Sequence, residues 1–329
     1  MSSENGYVGT HERRPGDRSD AREHLLEIQR GRLVAAMTEV AAEQGASNLS
    51  VAAIVARSGV SRRTFYEVFM DGQECLLAAL EESLECARSY VREVYDPQDA
   101  WRVRVRLALH ALLSFLEDEP ARGRLLVVEA LGAGPAALER RAQVLGELIE
   151  AIDAGREVAE RGSAVTTLTA EGLVGSVLTV VYARLVRGGR PALVELTNPL
   201  MSMIALPYLG AAAARKELER PLPERRRRAP RAADGASRLN GLPMRITYRT
   251  MRVLRVMAAQ PGASNRQIGE AAGMNDQGQV SKLLQRLERL GLAVNAEAGQ
   301  ERGMPNVWQL TQVGKEIERA TGQSWEAGG

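Results

Sequence analysis

Two stretches near opposite ends of the chain, residues 49–69 and 264–284, share one pattern. Each reads as a short helix, a turn built around a glycine, then a second helix with polar and basic residues on one face. In such a motif the second helix lies in the major groove of DNA and turns its N-terminal residues towards base edges. A chain that carries the pattern twice must build at least two small helical units. The rest of the sequence has to explain why one chain needs both.

At 329 residues the chain exceeds one ordinary core, so two or three domains are expected. Hydrophobic residues make up 45% and charged residues 26%, the balance of a soluble globular protein. Aromatics are only 4% and β-branched runs are few, which favours a mostly α fold. The net charge of +2 neither demands nor excludes nucleic acid, because the clustering of basic residues decides that. Cys75 and Cys86 share a predicted helix about 16 Å apart, too far for a disulfide, which fits a reduced, cytoplasmic setting. No stretch of about 18 apolar residues is free of charge, so no membrane span is expected. The polar tail 1–21 lacks the apolar core of a signal peptide and is expected to be disordered.

Helical spacing runs through Leu26, Leu33, Met37, Val40 and Ala41 and stops at Gly45. Ser50 and Ser61 are good N-caps for the next two helices, and Phe65 and Phe69 pack the third helix onto the first two. Asp71 opens a fourth helix, and Asp96-Pro97 marks a boundary. From 101 to 214, helical segments alternate with turn signals, and the segments 168–186 and 191–214 are the most apolar of the chain. Helices this apolar must be hidden, in a core or a subunit interface. Residues 215–243, with Pro221, Pro223, Pro230, Pro243 and four arginines at 225–228, read as a flexible basic linker. After it come three helical segments, strands at 292–296 and 307–310, and a closing helix. That order is a C-terminal winged helix-turn-helix.

The first motif closely resembles the DNA-binding domain of the TetR family of repressors. The resemblance rests on Ile54, Gly59, Val60, Ser61, Thr64, Phe65, Tyr66 and Phe69, followed by Glu74 and Leu76. It is close over residues 25–85 and architectural over 100–214. It implies that Ser61, Arg62, Arg63 and Thr64 meet bases and phosphates, that Tyr66 meets the backbone, and that Ser50 touches a phosphate. One departure is Gly72, where the family commonly carries Lys. The resemblance also implies a ligand-binding and dimerisation module. Its last two helices would form a four-helix bundle with a partner, through Val177, Val181, Met203 and Leu206.

Residues 276–292 resemble the recognition helix of MarR-like winged helices. Val280, Leu283, Leu284, Leu287 and Leu290 form its buried stripe, while Gln277, Gln279, Ser281, Lys282, Gln285, Arg286 and Arg289 lie outside it. Gln can be bidentate to adenine, and Lys or Arg can reach guanine or phosphate. Leu310-Thr-Gln-Val-Gly314 matches that family's closing motif, and Arg302 sits in the turn 299–303 that would be the wing. Glu297 and Glu301 dilute the wing's charge, so a protein-docking role stays open beside DNA contact. The arginines at 225–228 read either as a phosphate-tracking arm or as a solvated linker. His110, on the apolar helix 107–116, reads as a satisfied core histidine or as a contact in a ligand pocket.

No His/Cys cluster has metal spacing, and neither a phosphate-cradling Gly-Lys-Ser/Thr nor a nucleophile elbow is present, so neither an enzyme nor a cofactor is expected. The expected organisation is a tail to 21, a helix-turn-helix domain over 22–70 and a helical ligand-binding and dimerisation domain over 71–214. The linker 215–243, a winged helix over 244–322 and a tail over 323–329 complete it. The expected function is that of a cytoplasmic, homodimeric regulator, released from a double-stranded DNA operator by a small apolar effector. Its rivals are a regulator whose winged helix docks protein, and an effector-free DNA-bridging protein.

Overall fold

The structure, a computed structural model, describes residues 16–159, 165–187, 192–224, 248–274, 276–296 and 306–326. Residues 1–15 of the expected tail 1–21, the arginines at 225–228, and Glu297, Glu301 and Arg302 of the expected wing lie outside the described residues, while residues 16–21, expected to be disordered, are the first turns of a helix. In chain order the first helices are α1 (Gly16–Gln44), α2 (Val51–Ser58), α3 (Arg62–Val68), α4 (Gly72–Arg92) and α5 (Trp101–Asp118). Then come α6 (Pro120–Val127), α7 (Pro135–Asp153), α8 (Thr167–Arg187) and α9 (Thr197–Glu219). The C-terminal elements are α10 (Tyr248–Ala259), α11 (Asn265–Ala271), α12 (Gln277–Arg289), β1 (Ala293–Asn295), β2 (Trp308–Leu310) and α13 (Gln312–Glu326). They belong to two compact units, one of Leu33–Ser58 and Phe69–Pro230, the other of Met1–Arg32, Gly59–Val68 and Arg231–Gly329.

In the first unit, Leu33, Met37, Val40 and Ala41 recur at helical spacing on α1 and are fully buried, as are Ile54, Cys75, Leu76 and Leu80. Gly45, at φ 85, ends α1 in a conformation that costs other residues dearly. Arg57 of α2 reaches back to Glu39 (3.0 Å) and Glu43 (2.5 Å) of α1. Two polar joints tie this region to the helical bundle. The Ala46 N–H donates to Glu129 Oε2 (3.2 Å), and Gln73 Nε2 donates to the Ala133 carbonyl (2.5 Å).

The bundle core is built on α5, with Val105, Leu109, Leu113, Phe115 and Leu116 packed among residues of α8 and α9. Trp101 opens α5 with its ring tilted against Tyr208 (centroids 4.9 Å apart) and its Nε1 donating to the Ala151 carbonyl (2.9 Å). By length and composition α8 is apolar enough to cross a membrane, where the sequence, on account of its charges, predicts no span. Glu171 and Arg184 interrupt it but are outweighed by its Leu and Val residues.

The sequence reads 191–214 as one helical segment, yet α9 is two helices. Gly210 is non-helical (φ 76, ψ 174), shortly after Pro207 has removed a backbone donor. The Asn198 amide donates to the carbonyls of Leu218 (3.3 Å) and Arg220 (2.8 Å). On a straight helix residues 198 and 220 would stand about 33 Å apart, so the chain must fold back on itself. Helix also continues to Glu219, into the stretch read as linker from 215.

In the second unit, Val253, Leu254, Met257, Ile268, Val280, Leu284, Leu287, Trp308, Leu310 and Ile317 form one core. β1 pairs antiparallel with β2 in the register Ala293↔Leu310, and Ala263 adds an isolated bridge to Trp308. The stretch Leu310-Thr-Gln-Val-Gly314 now has a mechanical reason. Thr311 Oγ1 accepts the Gly314 N–H (3.0 Å) and donates to the Gly291 carbonyl (2.6 Å). A Cβ on Gly314 would run into the Leu292 carbonyl, so no larger residue fits.

Candidate nucleic-acid interface

The turn between α2 and α3 is a single glycine in the left-handed region, Gly59 at φ 65, followed by the buried Val60. Ser61 then caps α3: its Oγ accepts the Thr64 N–H (3.0 Å) and shares a hydroxyl bond with Thr64 Oγ1 (2.8 Å). Both hydroxyls therefore have a structural task besides the DNA contact expected of them. Phe65 is fully buried, while Arg62, Arg63 and Tyr66 are exposed, which leaves one face of α3 cationic and aromatic.

The Arg62 guanidinium lies over the Tyr66 ring, 5.8 Å from its centroid, a spacing that aligns both side chains on the solvent face. Arg63 pairs with Glu67 one turn on (3.1 Å) while remaining 89% exposed. So exposed a pair is weak and gives way readily to a phosphate. Ser50 caps α2 through the Ala53 N–H (3.2 Å). At Gly72, a Cβ would meet only Val51 Cγ2, at 4.0 Å, so the missing Lys leaves open space rather than a filled site.

The helix α12, which the sequence predicts to be a second recognition helix, buries Val280, Leu284 and Leu287 and exposes Gln277, Gln279, Lys282, Gln285, Arg286 and Arg289, with Ser281 half-buried. Its cap is a carboxylate: Asp276 Oδ1 accepts the N–H groups of Gly278 (2.9 Å) and Gln279 (3.1 Å). These bonds, the one from Gln279 first, hold the Asp276 carboxyl below its ordinary range, so it is charged at neutral pH. The Gln279 amide is engaged at both ends. Its Nε2 donates to Asp276 Oδ2 (2.9 Å), and its Oε1 accepts from Arg249 (2.9 Å). Arg249 is a member of this surface that the sequence reading missed. Its only signal is the basic spacing of Arg249, Arg252 and Arg255 on α10.

The other expected site residues are dispersed. His110 is buried in the bundle, with Nδ1 3.0 Å from Thr197 Oγ1. Of the residues expected at a dimer interface, Val181 is buried in the unit's own core, Val177 and Met203 are half-buried against it, and Leu206 is 51% exposed. Among the described residues no cluster of His, Cys, Asp or Glu is placed to hold a metal ion.

A helix capped by hydroxyls with an arginine–tyrosine face, preceded by a capped helix and a glycine turn, defines a helix-turn-helix of the DNA-reading class. Residues 33–79 match the model of bacterial regulatory proteins of the tetR family, and the N-terminal helix-turn-helix is a TetR-family domain. The HTH-type transcriptional activator FasR of Mycolicibacterium smegmatis is 32% identical over 98 residues, 30% of this chain. The match spans 45% of FasR, less than half of that relative's length. Among solved structures, the regulator FadR from Bacillus subtilis in complex with stearoyl-CoA superposes with a TM-score of 0.47 at 16% identity, over 54% of this chain and 97% of FadR. RolR without ligand gives 0.42 at 21% identity, over 59% and 98% of the two chains.

Proposed function

We propose that the chain is a DNA-binding transcription regulator that acts as a homodimer and reads its operator through α3. The observation that carries this reading is the exposed Arg62, Arg63 and Tyr66 face of α3, inside the segment that matches the tetR family. In a dimer the two α3 helices would meet half-sites about 34–36 Å apart. As in the expectation from sequence, the regulator is a repressor that a small apolar effector in the α5–α9 bundle releases. Such an effector acts only if it prefers one state of the bundle. A reporter driven by the chain's own promoter, in cells with and without the protein, reads the sign of regulation.

Support for the dimer comes from α8. Leu168, Gly172, Gly175, Thr179, Tyr182 and Val186 are all exposed and alternate at spacings of four and three, the seam of a helix pair. At Gly172 and Gly175 an added Cβ would meet nothing within 4 Å. Gly175→Leu should therefore leave the protomer folded and turn a dimer into a monomer in sedimentation. A Gly175→Leu chain that sediments as the wild type does would remove α8 from the interface.

The C-terminal elements α10–α13 are read as a winged helix that adds a second DNA contact per protomer. Supporting this are the order α10–α11–α12–β1–β2–α13, the Gly314 motif, and the exposed Lys282, Arg286 and Arg289. A specific observation favours the rival, a protein-docking module: Gln279, the best adenine reader of α12, is tied to Asp276 and Arg249. A chain ending at Glu224 separates the two readings. With two DNA contacts, its footprint shortens and its salt slope drops; with protein docking, both stay as in the full chain.

A further inference from the structure

The folded-back end of α9 is held by charge rather than by apolar burial. Between 211 and 221, Ala214 and Glu217 are buried, whereas Arg215, Lys216, Leu218 and Glu219 are exposed. Glu217 is wholly buried, and its Oε2 receives Arg106 of α5 at 2.8 Å. Arg102 and Arg220 stand 3.6 and 3.7 Å from its Oε1. Arg106 also donates to Asn198 Oδ1 (2.6 Å) and to the Pro221 carbonyl (3.0 Å). Asn198 in turn donates to the Leu218 and Arg220 carbonyls. Three pieces of chain, from α5, the start of α9 and its returning end, thus meet at one buried ion pair.

Such a pair gives little net stability when closed, but stranding either partner is costly. Its neighbours lie in the middle of the bundle. Arg106 is one turn from His110, and Asn198 follows Thr197, the His110 partner. A shift of α5 against the start of α9 must therefore strain the pair.

We propose that residues 211–221 form a detachable strap, latched by Glu217 onto Arg106 and Asn198, whose release lengthens the chain leading to α10–α13. Latched, the chain leaves the bundle at Pro221. Released, it gains residues 211–221, up to about 36 Å of extended chain. The benefit of that extra reach rests on the proposal that α10–α13 contact DNA; the latch itself does not.

Hydrogen exchange on the full chain tests the latch. Glu217→Gln should speed exchange within 211–221 at least tenfold while the α5 peptides stay protected. Arg106→Met with Glu217→Leu, an apolar replacement of the pair, should restore protection. Asn198→Ser removes the amide donors without stranding a charge and should loosen the same residues by a smaller factor. Unchanged exchange at 211–221 in Glu217→Gln and Asn198→Ser overturns the strap. So does loss of protection spread equally through α5 and the first half of α9, which would make the pair a general core contact. Operator duplexes with flanks of graded length then read the reach: Glu217→Gln should tolerate a wider range than the wild type. A wild type indifferent to flank length would instead sink DNA contact by α10–α13, leaving the exchange result intact.

Discussion

The two recognition-type helices, α3 and α12, follow one pattern but end in opposite electrostatics. The N-terminus of α3 is capped by a neutral hydroxyl that leaves the partial positive charge of the helix unopposed, with Arg62 and Arg63 exposed beside it. The N-terminus of α12 is capped by the charged carboxylate of Asp276, which offsets the helix dipole and would repel a phosphate. The difference is one of chemistry at the cap, not of shape. A helix-turn-helix silhouette tells where DNA would lie; the cap tells how welcome it is there.

The largest way to disturb the comparison is to remove one side of it. Gly314→Ala forces a methyl into the Leu292 carbonyl and should destabilise the C-terminal elements α10–α13 by about 3 kcal/mol or more. Hydrogen exchange across α10–α13 would show the loss. Operator binding through α3 should survive it, at the affinity and salt slope of the chain ending at Glu224. Next in size are Arg62→Ala and Arg63→Ala. Each should cost operator affinity about 1–3 kcal/mol if the side chain reaches a base, and less, with a salt slope shallower by about one, if it reaches only phosphate. Wild-type affinity in both would remove α3 from the interface.

A gain is expected at Gly72. The position opens α4 with nothing near its Cβ but Val51, so Gly72→Lys should fold normally and steepen the salt dependence of operator binding by about one phosphate contact. A slope unchanged from the wild type would show that this end of α4 points away from DNA.

How much of this was legible in the sequence depended on the reach of each interaction. The caps at Ser50 and Ser61, the Gly59 turn and the buried Phe65 involve near neighbours, and spacing alone predicts them. The Gly314 motif was recognisable as a pattern, though its cause lies in the carbonyl of Leu292. What stayed hidden depends on partners far along the chain. An Ala-rich run after Gly210 reads as continuous helix, and only Asn198 meeting Arg220 exposes the reversal. Gln279 reads as a free adenine contact until Arg249 is seen to hold it. On α8 the sequence points to Val177 and Val181 because they are apolar, whereas the uncovered seam carries glycines and Thr179. Hydrophobicity marks what is buried first, and α8 spends it on its own core.

The smallest expected effect probes the cap contrast most directly. Asp276→Ser keeps a side-chain oxygen for the Gly278 and Gln279 N–H groups, and Ser and Asp are nearly equal as caps, so stability at neutral pH should change little. The acid response should change instead. The native carboxyl lies below its ordinary range, so its stabilising contribution is full above the unfolded value and is lost as pH falls through the lowered one. The serine variant should lack that acid-dependent loss. On DNA, the variant gives α12 the same kind of N-terminus as α3 and frees Gln279 Nε2 from its carboxylate. If α12 lies on DNA, affinity of the full chain should rise by less than about 1 kcal/mol, and the rise should vanish at high salt. If α10–α13 dock protein, operator affinity will not move, and the difference between the two caps will mark two different partners.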